Sequence, residues 1–208
     1  MIISRLVKKG KNVVVEIEGN DEFLLREDVV YKAGLRKNDE ISEERLNELT
    51  AQSSLIIIKE KAFDLLSRRP HSARELKTKL RKKGFDPVQI DTVINELIEK
   101  RYLNDEEFAK LLAEEKIVKK KKGLNLVKKA LYEKGIDRNI IEKTLSQYSG
   151  DEILFENALS LAGKKIKSLE YKNLTENELR NRVRTFLNAR GYSGEIIEKV
   201  ISEKFNSN

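Results

Sequence analysis

The sequence predicts a mainly α-helical protein, in which a small β-containing segment precedes a tandem array of three three-helix repeats. Three observations support this prediction. A short pattern of leucine, basic residue, glycine, apolar residue and small polar residue occurs three times, and apolar residues recur at helical spacing around it. Only two prolines and ten glycines interrupt 208 residues, and the charged fraction is 37%, which suits helices with solvated faces. Because repeats of this kind share their core with neighbours, we expect an elongated, curved array.

The repeated pattern predicts a joint at which one helix ends and the next begins. It reads LRKKGFD from Leu80, LYEKGID from Leu131 and LNARGYS from Leu187. Apolar residues four and eight positions before each glycine share one helical face, and the glycine supplies a left-handed cap. The polar residue two positions after it is a good N-cap for the following helix. The glycines are Gly84, Gly135 and Gly191, and the N-caps are Asp86, Asp137 and Ser193, with Pro87 at the favoured first helical position.

A further amphipathic segment precedes each joint and completes a three-helix unit. These segments span residues 56–66, 108–118 and 153–166. Asn104 with Glu107, and Ser149 with Glu152, have the spacing of helix-start capping boxes. The predicted organisation is therefore a linker helix and first repeat over residues 42–100, a second repeat over 101–148 and a third over 149–205.

The first 41 residues have a different pattern. Residues 2–7 and 12–18 are strand-like around a turn at residues 8–11, and Phe23 to Leu25 predict a third strand. Residues 27–33, ahead of Gly34, predict a short helix. We expect a small β-hairpin cap, joined to the repeats by a helix that starts after Ser42 and continues to Ser67.

Composition and motifs argue against an enzyme. The chain lacks cysteine and has no phosphate-binding glycine loop of either common type. Its single histidine, His71, lies beside the Ser72 helix cap, and the acids at residues 105–107 are explained by the dipole of a helix start. No secretory or membrane-spanning apolar segment is present. We therefore expect a soluble, cytoplasmic monomer without cofactor or metal and without membrane association.

Basic residues concentrate in three windows that cover the middle helix of each repeat. Residues 68–84, 116–134 and 178–190 hold 20 of the 42 Lys and Arg residues but only three of the 35 Asp and Glu residues. Such a row of basic helices is typical of proteins that follow a phosphate backbone. The predicted contacts to nucleic acid or to a nucleoprotein filament are Arg74, Lys77, Arg81, Lys82, Lys119, Lys120, Lys121, Lys122, Lys128, Lys129, Arg180, Arg182 and Arg184.

The charge pattern leaves other interpretations open. The windows could be ordinary polar helix faces, and the chain could then be a protein-binding helical scaffold. Aromatic residues among the bases are few, and no recognition-helix spacing is evident, which favours weak backbone contact with DNA without sequence readout.

Two stretches of the sequence resemble a known family. SRRPHSARELKTKLRKKGF from Ser67, RYLNDEEFAKLLAEEK from Arg101 and the three glycine joints are similar to RecX, the bacterial regulator of the RecA recombinase. The family pattern Arg-Pro-His-Ser-x-x-Glu-Leu is matched from Arg69 to Leu76. A second family pattern, Gly-Tyr-Leu-x-Asp, is matched at Tyr102, Leu103 and Asp105, but Arg101 replaces the glycine. We expect this joint either to carry left-handed backbone strain or to be built differently.

The resemblance implies a helical-repeat protein that binds RecA, lies along its filament on DNA, and suppresses ATP hydrolysis, strand exchange and co-protease action. It implies roles in recombination, DNA repair and the SOS response. The alternative is a helical-repeat protein that binds nucleic acid without sequence preference and has no recombinase partner. Comparing affinity for free DNA with affinity for the RecA filament separates these hypotheses.

Overall fold

The computed structural model describes residues 1–19, 21–150 and 152–205. Within this part of the chain, three strands precede ten α-helices, as the sequence predicts. The strands are β1 (Ile3–Lys9), β2 (Asn12–Ile17) and β3 (Glu22–Arg26). The helices are α1 (Glu27–Ala33), α2 (Glu43–Leu66), α3 (Ala73–Arg81), α4 (Pro87–Glu99), α5 (Asp105–Glu114), α6 (Leu124–Glu133), α7 (Arg138–Ser146), α8 (Glu152–Lys167), α9 (Glu176–Ala189) and α10 (Gly194–Phe205).

The N-terminal segment is an antiparallel sheet in the order β1-β2-β3. Lys9 pairs with Asn12 across the first turn, where Gly10 has φ of 65°. One face of the sheet is buried against α1 and α2, with Ile3, Val15 and Leu25 fully enclosed. The third strand and the short helix that ends at left-handed Gly34 confirm the predictions for this segment.

Helix α2 is the continuous helix that the sequence predicts between the cap and the repeats. Ser42 caps its start by accepting the Arg45 N–H, and Ser67 follows its last residue. Its first half packs on the sheet through Leu46 and Leu49, and its second half packs on α4 through residues that include Ile58.

The three joints have the predicted geometry. Gly84, Gly135 and Gly191 adopt φ of 83°, 75° and 86°, the left-handed region that glycine occupies without strain. Asp86 and Asp137 cap α4 and α7 by accepting N–H groups of the first helical turn. In the third joint Ser193 accepts the Ile196 N–H before α10. Each middle helix therefore ends, and each third helix starts, where the pattern predicts.

The first helices of the second and third repeats differ in detail from the predictions. Asn104 caps α5 as expected, but the helix passes at Glu115–Lys119 into a π-helical turn. Helix α8 begins at Glu152, later than a cap at Ser149 would require. The predicted Ser149 cap is wrong, and the Ser149 hydroxyl instead donates to the Leu145 carbonyl at the end of α7.

The chain divides into two compact units. The first comprises the described residues of Met1–His71 and Glu75–Leu103, and the second comprises Ser72–Arg74 and the described residues from Asn104 onward. In the second unit, α5, α6 and α7 surround one core and α8, α9 and α10 surround another. The finer repeat boundaries given above stay a prediction.

Candidate nucleic-acid interface

The thirteen predicted contact residues lie on or beside the middle helices α3, α6 and α9. Arg74, Lys77 and Arg81 are on α3, with Lys82 directly after it; Lys128 and Lys129 are on α6; Arg180, Arg182 and Arg184 are on α9. Lys119 ends the π-helical turn, and Lys120, Lys121 and Lys122 form the connection to α6. Some of these side chains form ion pairs within the chain, and others are exposed and could contact a ligand.

An ion pair spans two of the joints at equivalent positions. Lys77, seven residues before Gly84, contacts Asp91, seven residues after it, at 2.8 Å. Arg184 has the same relation to Gly191 and binds both carboxylate oxygens of Glu198, each at 2.9 Å. These cations lower the pKa of both acids, chiefly through the hydrogen bonds they donate.

The second repeat preserves the same charge pattern. Lys128 lies seven residues before Gly135 and Glu142 seven after it, and the charge of Lys128 contributes to the lowered pKa of Glu142. The larger cause is a hydrogen bond from Arg138, 2.8 Å from the same carboxylate. The pattern is visible in the sequence as a base and an acid at equal distances from each glycine, although the two members of each pair lie on different helices.

Two more predicted contacts have partners within the chain. Lys120 pairs with Glu115 at 2.6 Å, and the hydrogen bond lowers the pKa of that glutamate. Arg180 pairs with Glu176 and lies over the ring of Phe205, 5.3 Å from its centre. Their charges are therefore partly neutralised before any ligand binds.

The remaining cations include several that are exposed and have no ion pair among the described residues. These are Arg81, Lys82, Lys119, Lys129 and Arg182. Every repeat contributes at least one of them, so an unpaired positive charge recurs on each middle helix or beside it.

The connection before α6 has an unusual backbone, held by hydrogen bonds to other segments. The π-helical turn leaves the Ile117 carbonyl to accept a hydrogen bond from the buried Asn157 amide at 3.0 Å. Lys121 follows with φ of 48°, and its carbonyl accepts the buried Tyr192 hydroxyl at 2.9 Å. Burial raises the pKa of Tyr192 to about 12, so this hydroxyl remains a donor at neutral pH.

This connection also lies directly against the third joint. The Gly123 N–H donates to the Arg190 carbonyl at 2.9 Å, and the Asn125 N–H donates to the Gly191 carbonyl at 3.0 Å. The approach is so close that a Cβ on Gly123 would overlap backbone atoms of Gly191 and Tyr192. The connection that carries Lys119–Lys122 therefore lies next to the end of α9.

The start of α3 makes a comparable contact within the second unit. The Ser72 hydroxyl donates to the Lys134 carbonyl at 2.6 Å, and the Ala73 N–H donates to the Asp105 carboxylate at 2.8 Å. The aliphatic part of Arg74 covers Gly135, where a Cβ would overlap it. Ser72 and Gly123 occupy equivalent positions ahead of the glycines of their joints, but the residues around them differ. The sequence therefore did not indicate these contacts.

His71 is buried and serves the local structure. Its ring nitrogens lie 2.9 Å from the Arg69 carbonyl and 2.8 Å from the Lys79 ammonium. Since the ammonium can only donate, the facing nitrogen accepts and the ring is neutral. Burial is the main cause of its lowered pKa, and the nearby charges of Arg69 and Lys79 add to it.

The acids at residues 105–107 do not converge on a common point. Asp105 is half-buried, binds the Ala73 N–H, and has a pKa raised by burial, while Glu106 faces Lys143 at 3.5 Å. Among the described residues, no three acidic or histidine side chains are placed to hold a metal ion. Within that same part of the chain, no helix is long and apolar enough to cross a bilayer.

The fold and this surface define a class of protein, a tandem array of three-helix repeats with basic middle helices. Three family models match successive parts of the chain: the first three-helix domain of RecX at residues 59–97, the second at 104–145 and the third at 151–201. Together they cover more than half of the sequence.

Individual relatives agree with these matches. A "Regulatory protein RecX" of Clostridioides difficile is 30% identical over 208 residues, covering 99% of this chain and 96% of the relative. One from Clostridium botulinum strain Alaska E43 is 29% identical over 96% of this chain and 92% of its own. A crystal structure of regulatory protein RecX superimposes with a TM-score of 0.75 at 21% identity, covering 98% of this chain and 99% of that one. The chain belongs to the RecX family of regulatory proteins.

Proposed function

We propose that this protein binds the RecA filament on DNA and inhibits its ATPase, strand-exchange and co-protease activities. The observation that carries the proposal is the recurrence, on or beside all three middle helices of a RecX-family chain, of exposed cations that have no ion pair in the described part of the chain. A molecule with several such sites gains affinity when they engage one extended partner together. A nucleoprotein filament presents both a regular phosphate backbone and a repeating protein surface.

The proposed contact set is narrower than the sequence prediction. Lys77, Lys128 and Arg184 belong to the charge pairs around the glycine joints, and Lys120 and Arg180 have acids beside them. Such cations offer less net attraction to phosphate, because the paired carboxylate opposes it. The cations that we propose to contact the filament are Arg81, Lys82, Lys119, Lys121, Lys122, Lys129 and Arg182; Arg74 is set apart because its side chain packs over Gly135.

The proposed mechanism is occupancy of the filament. A bound chain would either exclude the second duplex from the filament, or cap its growing end and shift the assembly equilibrium towards disassembly. The protein needs no catalytic group for this role. The effect should therefore saturate with the number of chains bound, and it should depend on salt through the phosphate contacts.

The test is ATP hydrolysis and strand exchange by RecA assembled on single-stranded DNA, measured with increasing amounts of this protein. We expect both to slow at near-stoichiometric amounts. Changing Lys82, Lys129 and Arg182 to Gln should weaken the inhibition, whereas the same change at Lys32, Lys167 and Lys199, outside the basic windows, should not. If the unaltered protein binds DNA but leaves both activities unchanged at excess, the alternative of a plain nucleic-acid-binding protein is favoured.

A further inference from the structure

A cavity of about 540 Å³ lies against the middle helix of the third repeat. Its wall is one face of α9, since the lining side chains follow each other at spacings of three and four residues, and α8 closes it with a lysine. The side chains that matter here are Lys165, Glu178, Asn181, Arg182, Thr185 and Phe186.

Two cations lie over the aromatic ring of this cavity, and a third cation lies on the same wall. The Lys165 ammonium lies 5.5 Å and the Arg190 guanidinium 5.1 Å from the centre of the Phe186 ring. Arg182, exposed and without an ion pair among the described residues, lies on the same wall of α9. Phe186 is half-buried and packs at the edge of the core of the third repeat. Val183 and Leu187, on the same helix, are fully buried in that core.

The acid of the cavity does not neutralise these cations fully. The Glu178 carboxylate is held at the start of α9, where it accepts the Thr175 N–H and the Thr175 hydroxyl, both at 2.9 Å. The bond from the Thr175 N–H, together with the bond from the Glu178 N–H to the Thr175 hydroxyl, forms a capping box that fixes the carboxylate at the helix start. The cavity therefore combines a net positive charge with an aromatic surface.

We propose that this cavity binds one nucleotide of a single nucleic-acid strand, with the base against Phe186 and the adjoining phosphate between Lys165 and Arg182. A nucleotide unites a planar aromatic group and an anion at a fixed short distance, and aromatic rings beside cations are the usual means of holding unpaired bases. In a duplex the bases are stacked on each other and cannot reach the ring. This assignment rests on the proposed contact with DNA and adds that the third repeat selects single strands.

An acidic peptide is the less favoured occupant. It would need an apolar recess for a side-chain anchor, whereas Phe186 is the one large apolar side chain of the lining, beside small or polar neighbours such as Thr185 and Asn181. Polar groups at this position suit the edges of a base, which carry donors and acceptors.

The test compares two oligonucleotides that carry the same number of phosphates. Fluorescence anisotropy would measure the affinity of the full chain for an oligothymidylate of about a dozen residues and for an abasic strand of equal length. We expect about tenfold tighter binding of oligothymidylate. Phe186→Leu should abolish this preference, and Phe186→Tyr, which keeps the ring, should retain it.

The charge contact has its own matched control. Arg182→Gln should weaken both oligonucleotides by a similar factor, whereas Lys199→Gln, the same charge change in the following helix α10, should leave both unchanged. Thermal melts of each variant would show that the fold is intact.

Four outcomes would overturn the assignment. Equal affinity for the two strands, or a preference that survives Phe186→Leu, refutes the nucleotide site while leaving the proposed DNA contact in place. Failure to bind either strand refutes both. We expect that an acidic aromatic peptide displaces neither strand. If such a peptide does bind, and Phe186→Leu abolishes its binding, the cavity is a protein site.

Discussion

Replacing Gly123 by alanine tests the close contact between the basic connection and the third joint. Gly123 has φ of −74°, so alanine adds no backbone strain. Its Cβ would, however, overlap the carbonyl group of Gly191 and the amide nitrogen of Tyr192. All of these atoms are backbone atoms, so the overlap can be relieved only by moving two chain segments apart.

The expected loss of stability follows from this geometry. Overpacking of this kind costs roughly 1–3 kcal/mol. Separation would also weaken the hydrogen bonds from Gly123 to Arg190 and from Asn125 to Gly191, each worth about 1 kcal/mol. A total loss of about 2–4 kcal/mol lowers the melting temperature of a chain of this size by roughly 5–15 °C.

Thermal melting followed by circular dichroism measures this loss, and Gly194→Ala is its control. Gly194 starts α10, has no left-handed φ, and its added Cβ would meet no atom within 4 Å. The control should melt at the parent temperature or slightly above it, because alanine favours the helix. Gly123 is also the N-cap of α6, and alanine is a poorer N-cap than glycine. This effect alone would lower the melting temperature of Gly123→Ala by only about 3 °C. If Gly123→Ala melts within that margin, the close contact is not as described.

Three further predictions concern the joint between the first two repeats, the buried His71 and the basic surface. Arg101, exposed with φ of 58°, carries the left-handed strain expected from the sequence, so Arg101→Gly should raise stability by about 1 kcal/mol in denaturant titrations; an unchanged or lower midpoint contradicts this. Because the pKa of His71 is lowered, its contribution to stability is complete above the unfolded value of about 6.5 and declines as the pH falls below it. The melting temperature should drop between about pH 7.5 and about pH 5.5, and His71→Gln should reduce that drop; an equal drop in both proteins refutes the role of His71. Bare DNA should bind with a slope of log affinity against log salt near −4, for about five phosphates neutralised, and Lys82, Lys129 and Arg182 changed together to Gln should flatten it by about 2–3; a flat titration of the parent argues against backbone contact.

The helix boundaries near the joints were predictable because their causes are local. Gly84, Gly135 and Gly191 each stand between an apolar helical face and an N-cap, and three copies of one pattern reinforce each other. The same local signals placed α2 between Ser42 and Ser67. Propensity, capping and left-handed glycine act over a few residues, so a single sequence contains them.

The contacts between distant segments were not predictable in this way. The π-helical turn after Glu114 depends on Asn157, whose amide binds the Ile117 carbonyl from another helix. The approach of Gly123 to Gly191 depends on how two repeats pack, and nothing in the sequence near Gly123 indicates it. These features are set by tertiary structure, which overrides local preference.

The candidate interface was predictable in location but not in detail. Counting charges along the chain placed the basic windows on the middle helices. It could not show that Lys77 and Arg184 are paired, because Asp91 and Glu198 lie on the following helices. Phe186 was missed for a related reason, since the sequence shows an isolated aromatic residue and only the fold places Lys165 beside it.

The most direct test of the central claim compares the affinity of this protein for a RecA filament on single-stranded DNA with its affinity for the same DNA alone. Both are measured at one physiological salt concentration, with the filament held by a slowly hydrolysed nucleotide. Simultaneous contact with protein and phosphate predicts binding to the filament at least about tenfold tighter than to bare DNA. Equal affinity for the two, or weaker binding to the filament, would contradict the account and leave a nucleic-acid-binding repeat protein without a recombinase partner.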